Sequence, residues 1–171
     1  MALGKDYAWQ DCSLARALEV VGERWTLLIV RDALYGVRRF SDFRAHLDVP
    51  KAVLADRLQK LVDAGVLDKN GHEYLITPMG KGLWPIVHGL ARWGEELHED
   101  SLPARLFFHV ACGAHIDADG RCPTCGVLVV PDDIEMRPGP GSGRRTDPVS
   151  LVLRQPHRML APIRTGALTR T

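Results

Sequence analysis

The sequence predicts an α+β chain: a mainly helical winged helix-turn-helix with a long final helix, then a small β-rich, zinc-ribbon-like section. Three observations carry this. Apolar residues recur at helical spacing in three successive segments between Arg24 and Ala64, split by Gly36 and by Asp48-Val49-Pro50. Asn70-Gly71 then separates two short β-prone runs, Val66–Lys69 and His72–Ile76. Beyond Leu102-Pro103 the pattern changes to β-prone runs with paired cysteines, His109-x2-Cys112-Gly113 and Cys122-x2-Cys125-Gly126.

The first helix of the unit is Arg24 to Val30, ended by Gly36. The second opens at Arg38-Arg39-Phe40-Ser41, with Ser41 as its expected N-cap, and runs to about Leu47. Pro50 suits the entry to the third helix, because its missing N–H costs nothing there. In that helix Leu54, Leu58 and Leu61 make one buried stripe. Ala52, Ala55, Asp56, Gln59 and Asp63 fall opposite. Gly65 ends it. A unit of this kind commonly places its third helix in the major groove of double-stranded DNA, reading bases with the N-terminal half. The base-reading candidates are therefore Ala52, Ala55, Asp56 and Gln59, since alanine suits a thymine methyl and glutamine suits adenine. Arg38, Arg39, Ser41, Lys51, Arg57 and Lys60 are candidates for the backbone, with Lys69 and His72 at the hairpin tip. The hairpin turn is expected at Asn70-Gly71, both at positive φ.

Charge agrees with a local interface. Net charge is only +1, which excludes a uniformly basic nucleic-acid binder. Residues 31–60 nevertheless hold seven basic against four acidic side chains. From Arg137 onward there are seven arginines and one acid, Asp147, whereas Glu95, Glu96, Glu99 and Asp100 form an acidic run. The 171 residues, 46% of them hydrophobic, suffice for a globular core. No apolar run approaches the ~18 residues of a membrane span, and the start carries no long apolar stretch, so a cytoplasmic protein is expected.

Thr77-Pro78 starts a long helix whose stripe is Leu83, Ile86, Val87, Leu90, Trp93 and Leu97, with a kink expected near Pro85. The helix around Ser13–Val21 is also amphipathic. One small domain does not easily bury both, so a twofold homodimer is expected, presenting two recognition helices to a pseudo-palindromic operator.

The order Cys12, Gly22-Glu23-Arg24-Trp25-Thr26, Gly36-Val37-Arg38-Arg39-Phe40, Leu54-Ala55-Asp56-Arg57-Leu58, Gly65-Val66-Leu67, Tyr74-Leu75-Ile76-Thr77, Gly80 and Trp93-Gly94 resembles the HxlR-type regulators, winged-helix transcription factors related to the MarR group. The resemblance covers residues 12 to 97. It implies a homodimeric bacterial repressor or activator, with Arg39 and the Ala52–Gln59 helix at the DNA. The wing lacks the longer basic, Pro-containing segment of many relatives. Some members sense electrophiles or oxidants through a cysteine at the place of Cys12. Here Cys12 precedes a helix whose dipole favours thiolate, although a buried packing thiol is the alternative.

His109, Cys112, Cys122 and Cys125 have the spacing of a closed tetrahedral structural zinc site, with His115 as the rival fourth ligand. Cys122-Pro-Thr-Cys125 as a redox pair is the competing reading. A thioredoxin-like motif would, however, be followed by a helix, not by Val127–Val130. Residues 1–101 are read as the DNA-binding and dimerisation domain, 102–137 as the zinc-ribbon-like section, and 138–171 as a Pro/Gly linker and basic tail. Val149–Leu153 is a candidate docked strand. No nucleotide loop, Ser–His–Asp order or paired carboxylates is found, and His46, His72, His88, His98 and His157 read as isolated, so no enzyme is expected. The alternatives to a regulator are a thiol-redox protein and a winged-helix protein-interaction module. A small-molecule effector pocket lined by Trp84, Trp93 and Phe107 is also open.

Overall fold

A computed structural model describes residues 7, 9–97 and 102–167. The order is α1 (Ser13–Val21), α2 (Thr26–Leu34), α3 (Phe40–Leu47), α4 (Lys51–Asp63), β1 (Leu67–Asn70), β2 (Glu73–Ile76), α5 (Pro78–Lys81), α6 (Trp84–Glu96), β3 (Arg105–His109), β4 (Ile134–Pro138), α7 (Pro148–Val152) and β5 (His157–Arg158). The antiparallel β1–β2 hairpin is the wing, and β3-β4-β5 form a second antiparallel sheet. No helix among the described residues is long and apolar enough to cross a membrane.

The helical unit follows the apolar spacing. Leu54, Leu58 and Leu61 of α4 are fully buried against Ile29, Val30, Leu34, Val37 and Phe43. Each such side chain contributes on the order of 1.5–3 kcal/mol. Ser41 does not cap α3: Arg39 is the N-cap and Ser41 lies, exposed, inside the first turn. Pro50 is the N-cap of α4 rather than its first residue. The wing turn is one residue later than expected. Asn70 pairs with Glu73, leaving Gly71-His72 at the tip. Only Gly71 has positive φ (59°) there, as suits a turn with glycine at its first central position.

The long helix is broken. Thr77 caps α5 by accepting from the Gly80 N–H at 3.1 Å, but the chain restarts at Trp84, so the break precedes Pro85. On α6, Val87 is buried, whereas Ile86, Leu90 and Trp93, with Leu97 at its C-cap, are exposed. Leu14 and Leu18 of α1 are exposed as well. Glu95 pairs with Arg92, so the acidic run is partly compensated. His98, Glu99 and Asp100 lie outside the described residues.

The C-terminal third departs most from the sequence reading. Residues 137–143 are not a free linker. Arg137 and Pro138 end β4, the central strand, opposite Leu106 and Arg105. The N–H groups of Gly139 and Gly141 bond to the Ala104 and Pro103 carbonyls. Pro138 fits because it stands at the strand's last position. Val127–Val130 forms no strand, only a bridge from Leu128 to Arg121. Val149–Val152 is helical, capped by Asp147. Val149, Leu153, Met159 and Ile163 join Ile116, Ile134, Met136 and the helical unit in one core. The Cys section therefore does not rely on a separate core of its own.

The tail closes on the turn between α2 and α3. Leu160 N–H donates to the Leu34 carbonyl and Ile163 N–H to that of Gly36, both at 2.9 Å. Leu160 takes φ +67° to do so. Its carbonyl accepts from Arg38, and Thr165 Oγ1 donates to buried Asp42. Gly36 has φ +95°, and a Cβ on it would stand 1.8 Å from the Ala161 carbonyl oxygen. Gly36→Ala is thus expected to cost at least about 2 kcal/mol, from backbone strain plus displacement of the tail. Thermal unfolding should show a melting temperature lower by about 4 °C or more.

Candidate nucleic-acid interface and candidate metal centre

On α4 the outward residues are those the spacing predicts. Lys51, Ala52, Ala55, Asp56, Gln59 and Lys60 are exposed, over a stripe of fully buried leucines. The expected cations are not equally available. Arg57, its side chain only 18% exposed, is paired with both Asp56 and Glu23. Lys60 lies 3.2 Å from the same two carboxylates, whose hydrogen bonds hold its ammonium above the usual lysine range. Gln59 donates to Asp63 at 2.8 Å. Arg38 is tied to Glu73 and to the Leu160 carbonyl. Lys69 lies over the Tyr74 ring, and His72 is exposed at the wing tip. Arg39, Arg44 and Lys51 make no side-chain hydrogen bond or ion pair among the described residues. Sequence reasoning missed Glu23, which lies 37 residues before Lys60; no local spacing signals such a tether.

His46 is not isolated. Asp32, fully buried, accepts from Arg31 with one oxygen and meets His46 Nδ1 at 2.7 Å with the other. This joins α2 to α3. Cys12 is exposed at the N-cap of α1. Arg16, one turn on, is engaged by Asp11 rather than by the thiol.

His109, Cys112, Cys122 and Cys125 converge, with their ligand atoms all within 4.8 Å of one another. Two matching turns bring them together. Gly113 N–H returns to the His109 carbonyl and Gly126 N–H to that of Cys122. Likewise His109 N–H reaches the Ala114 carbonyl and Cys122 N–H that of Val127. Gly113 and Gly126 both take positive φ, near 70°, which side-chain-bearing residues rarely adopt. Cys112 Sγ lies 3.5 Å from His109 Nδ1 and 3.3 Å from Cys122 Sγ. Ligands about 2.0–2.3 Å from a tetrahedral ion stand roughly 3.5–3.8 Å apart, so the four groups fit one metal. His115 stays outside the group, edge-on to Phe108.

The thiols titrate apart. Desolvation pushes Cys122 up, but N–H groups of Cys125 and Thr124 and the Cys112 and His109 side chains outweigh it, bringing it to about 6. Hydrogen bonds with Cys112 and Cys122, then desolvation, push Cys125 to about 11. Like charges this close oppose each other, so ionised Cys122 and Cys125 together call for a cation between them.

The pocket expected around Trp84, Trp93 and Phe107 is there only in part. Trp84 and Phe107 meet edge-to-face at 4.9 Å and line an apolar cavity of about 320 Å³ with Leu27, Leu28, Tyr35 and Leu90. Trp93, 59% exposed, is not part of it.

A Mycobacterium tuberculosis protein named as an uncharacterized HTH-type transcriptional regulator is 39% identical over 138 residues, 75% of this chain and 87% of its own length. The chain belongs to the HxlR-like helix-turn-helix family. The family's sequence profile matches residues 20–101, the helical unit, the wing and α6. A second relative, the uncharacterized HTH-type transcriptional regulator YvaP of Bacillus subtilis, is 34% identical over 89 residues, 47% of this chain and 82% of its own. The crystal structure of PA1607, described as a candidate transcription factor, superposes with a TM-score of 0.57 at 33% identity, covering 70% of this chain and 89% of that one. This HxlR-like chain is a transcriptional regulator with a helix-turn-helix DNA-binding fold.

The thiol titrations give a pH signature. A thiol lowered from 9 to about 6 stabilises the fold fully above its unfolded value, and that contribution is lost as pH falls through about 6. Cys125, raised to about 11, acts oppositely: its contribution is lost as pH rises through about 11. In metal-free protein, ultraviolet thiolate absorbance should therefore show a one-thiol step near pH 6, and Cys122→Ser should remove it.

Proposed function

We propose that the protein is a homodimeric, sequence-specific regulator that seats α4 of each copy in adjacent major grooves of a pseudo-palindromic operator. The observation that carries this reading is the division of α4. Its leucine face is wholly buried, while Lys51, Ala52, Ala55, Asp56 and Gln59 stand in solvent on the half that meets bases in such folds. Ala52, Ala55, Asp56 and Gln59 read base edges. Arg39 and Lys51, without a side-chain hydrogen bond or ion pair among the described residues, take phosphates, with Ser41 beside them. Arg57 and Lys60 are drawn back by Glu23 and serve mainly to hold α4 against the segment before α2. Arg38, Lys69 and His72 contribute at the wing, whose tip is only two residues long.

The homodimer reading rests on an apolar face left uncovered by the described residues. Leu14 and Leu18 on α1, and Ile86, Leu90, Trp93 and Leu97 on α6, are each 38–66% exposed. A second copy, contributing the same face, would bury both sets around a twofold axis. Such a dimer places Cys12 near the interface, where its oxidation state would alter packing. A cytoplasmic location follows from this work on DNA. A thiol oxidoreductase is disfavoured, because Cys122 and Cys125 share their space with Cys112 and His109 instead of standing as a pair.

The Cys3His group is assigned to structural zinc. All four ligands come from the protein, leaving no open position for a substrate. His109 is on β3 and Cys122 is in the common core, so the ion would tie the loop carrying Cys122 and Cys125 to the sheet.

Footprinting on genomic DNA should reveal protection of an inverted repeat with half-sites about 10 base pairs apart. Arg39→Ala combined with Gln59→Ala should weaken it by roughly 1–3 kcal/mol per lost contact and lower the salt slope by about one. Absence of any specific protection at low salt would leave the interaction-module reading in its place. One equivalent of zinc should co-purify, and its chelation should lower the melting temperature. His109→Ala should lose the metal while His115→Ala keeps it; the reverse result would make His115 the ligand.

A further inference from the structure

A second cavity, of about 320 Å³, lies where α2, the end of α3, β3, the 141–145 loop and α7 meet. Five arginines line it: Arg31, Arg105, Arg144, Arg145 and Arg154. The carboxylates around them are already spent. Asp32 gives one oxygen to Arg31 and the other to His46. Asp147 accepts from the Ser150 N–H and hydroxyl and from Arg145. Among the described residues, Arg105 and Arg154 reach only backbone carbonyls. Arg144 makes no side-chain hydrogen bond among the described residues, nor do the N–H groups of residues 143–145. Three guanidiniums therefore share one concavity without a carboxylate of their own. Burial leads in lowering Arg105 and the neighbouring Arg31 adds to it, while Tyr35 and, more weakly, Asp147 oppose them without reversing the downward shift. Arg105 is half-buried and Arg144 and Arg154 are exposed; gathering their like charges in one concavity is unfavourable unless an anion completes it.

We propose that this cavity binds a small, multiply charged oxyanion, a phosphorylated or polycarboxylate metabolite. Arg105, Arg144 and Arg154 form its charged wall and Tyr35 its inner side. Guanidinium forks match the geometry of both phosphate and carboxylate oxygens. The volume is that of a small-molecule site. It lies at the far end of α3 from Arg39, roughly 10 Å along the helix, so it is separate from the proposed DNA face. The cavity's lining comes from both the helical unit (Arg31, Tyr35 and His46) and the C-terminal third, so a bound anion would bridge the two. This inference does not depend on the DNA reading.

The test is calorimetric titration of the full chain at constant ionic strength with pyrophosphate and, separately, citrate, using chloride as the control. The expected result is saturable binding of at least one probe with Kd below about 1 mM. Arg144→Gln, on an exposed side chain whose loss should not affect folding, and Arg105→Gln should each weaken it about tenfold or more. The stronger probe distinguishes a phosphate from a carboxylate ligand. No saturable binding, or equal binding by wild type and both variants, would overturn the proposal. So would displacement of the probe by non-operator duplex DNA together with a smaller salt slope in Arg144→Gln, since that would assign the arginines to the DNA backbone.

Discussion

The return of the chain's end to its beginning is the constraint on which the molecule depends. Leu160 and Ile163 bond to the carbonyls of Leu34 and Gly36, where α2 gives way to the recognition unit. That contact is possible only because position 36 has no side chain and takes a positive φ. Once made, it seats Met159 and Ile163 in the same core as Leu54 and Phe43. The C-terminal third thus acts as a buttress for the helix-turn-helix. The turn into α3 and Asp42 within it are held by residues far away in the chain.

The helical unit was legible because its signals are local. Leu54, Leu58 and Leu61 declare a buried face within eight residues, and Gly65 marks its end at a φ of 73°. The Cys3His group was legible for the same reason, each pair being three residues apart on a turn closed by glycine. What escaped was non-local or depended on small differences in backbone energy. Ser41 is a better capping type than Arg39, yet burial of Phe40 and Phe43 sets where α3 begins, and the core outweighs a cap worth about 1 kcal/mol. The hairpin turn slipped by one residue because the pairing of Leu67 with Ile76 decides the register. Pro138-Gly139-Pro140-Gly141 read as a linker from composition alone. Composition carries no trace of Ala104 and Pro103, whose carbonyls those glycines meet.

Charge shows the same division. The sequence counts seven basic side chains over residues 31–60 as a basic surface. In the fold, Arg31 is spent on Asp32, Arg38 on Glu73 and Arg57 on Glu23 and Asp56. The cations of this segment left without a side-chain hydrogen bond or ion pair among the described residues are Arg39, Arg44 and Lys51. Counting charge along a chain overstates what is available to a partner, because it cannot see which cations hold the fold together.

The closing contact also has a consequence in time. Arg38 and Leu160 are separated by 122 residues. At a synthesis rate of about 5–20 residues per second, the carbonyl that Arg38 will bind is made roughly 6–24 s after Arg38 itself. During that interval the helical unit has its leucines but not its buttress, and the apolar residues that the tail will cover remain open. Nascent chains of this protein must pass through that window each time they are made. Conditions that slow translation lengthen the exposure, even though they change nothing in the finished molecule.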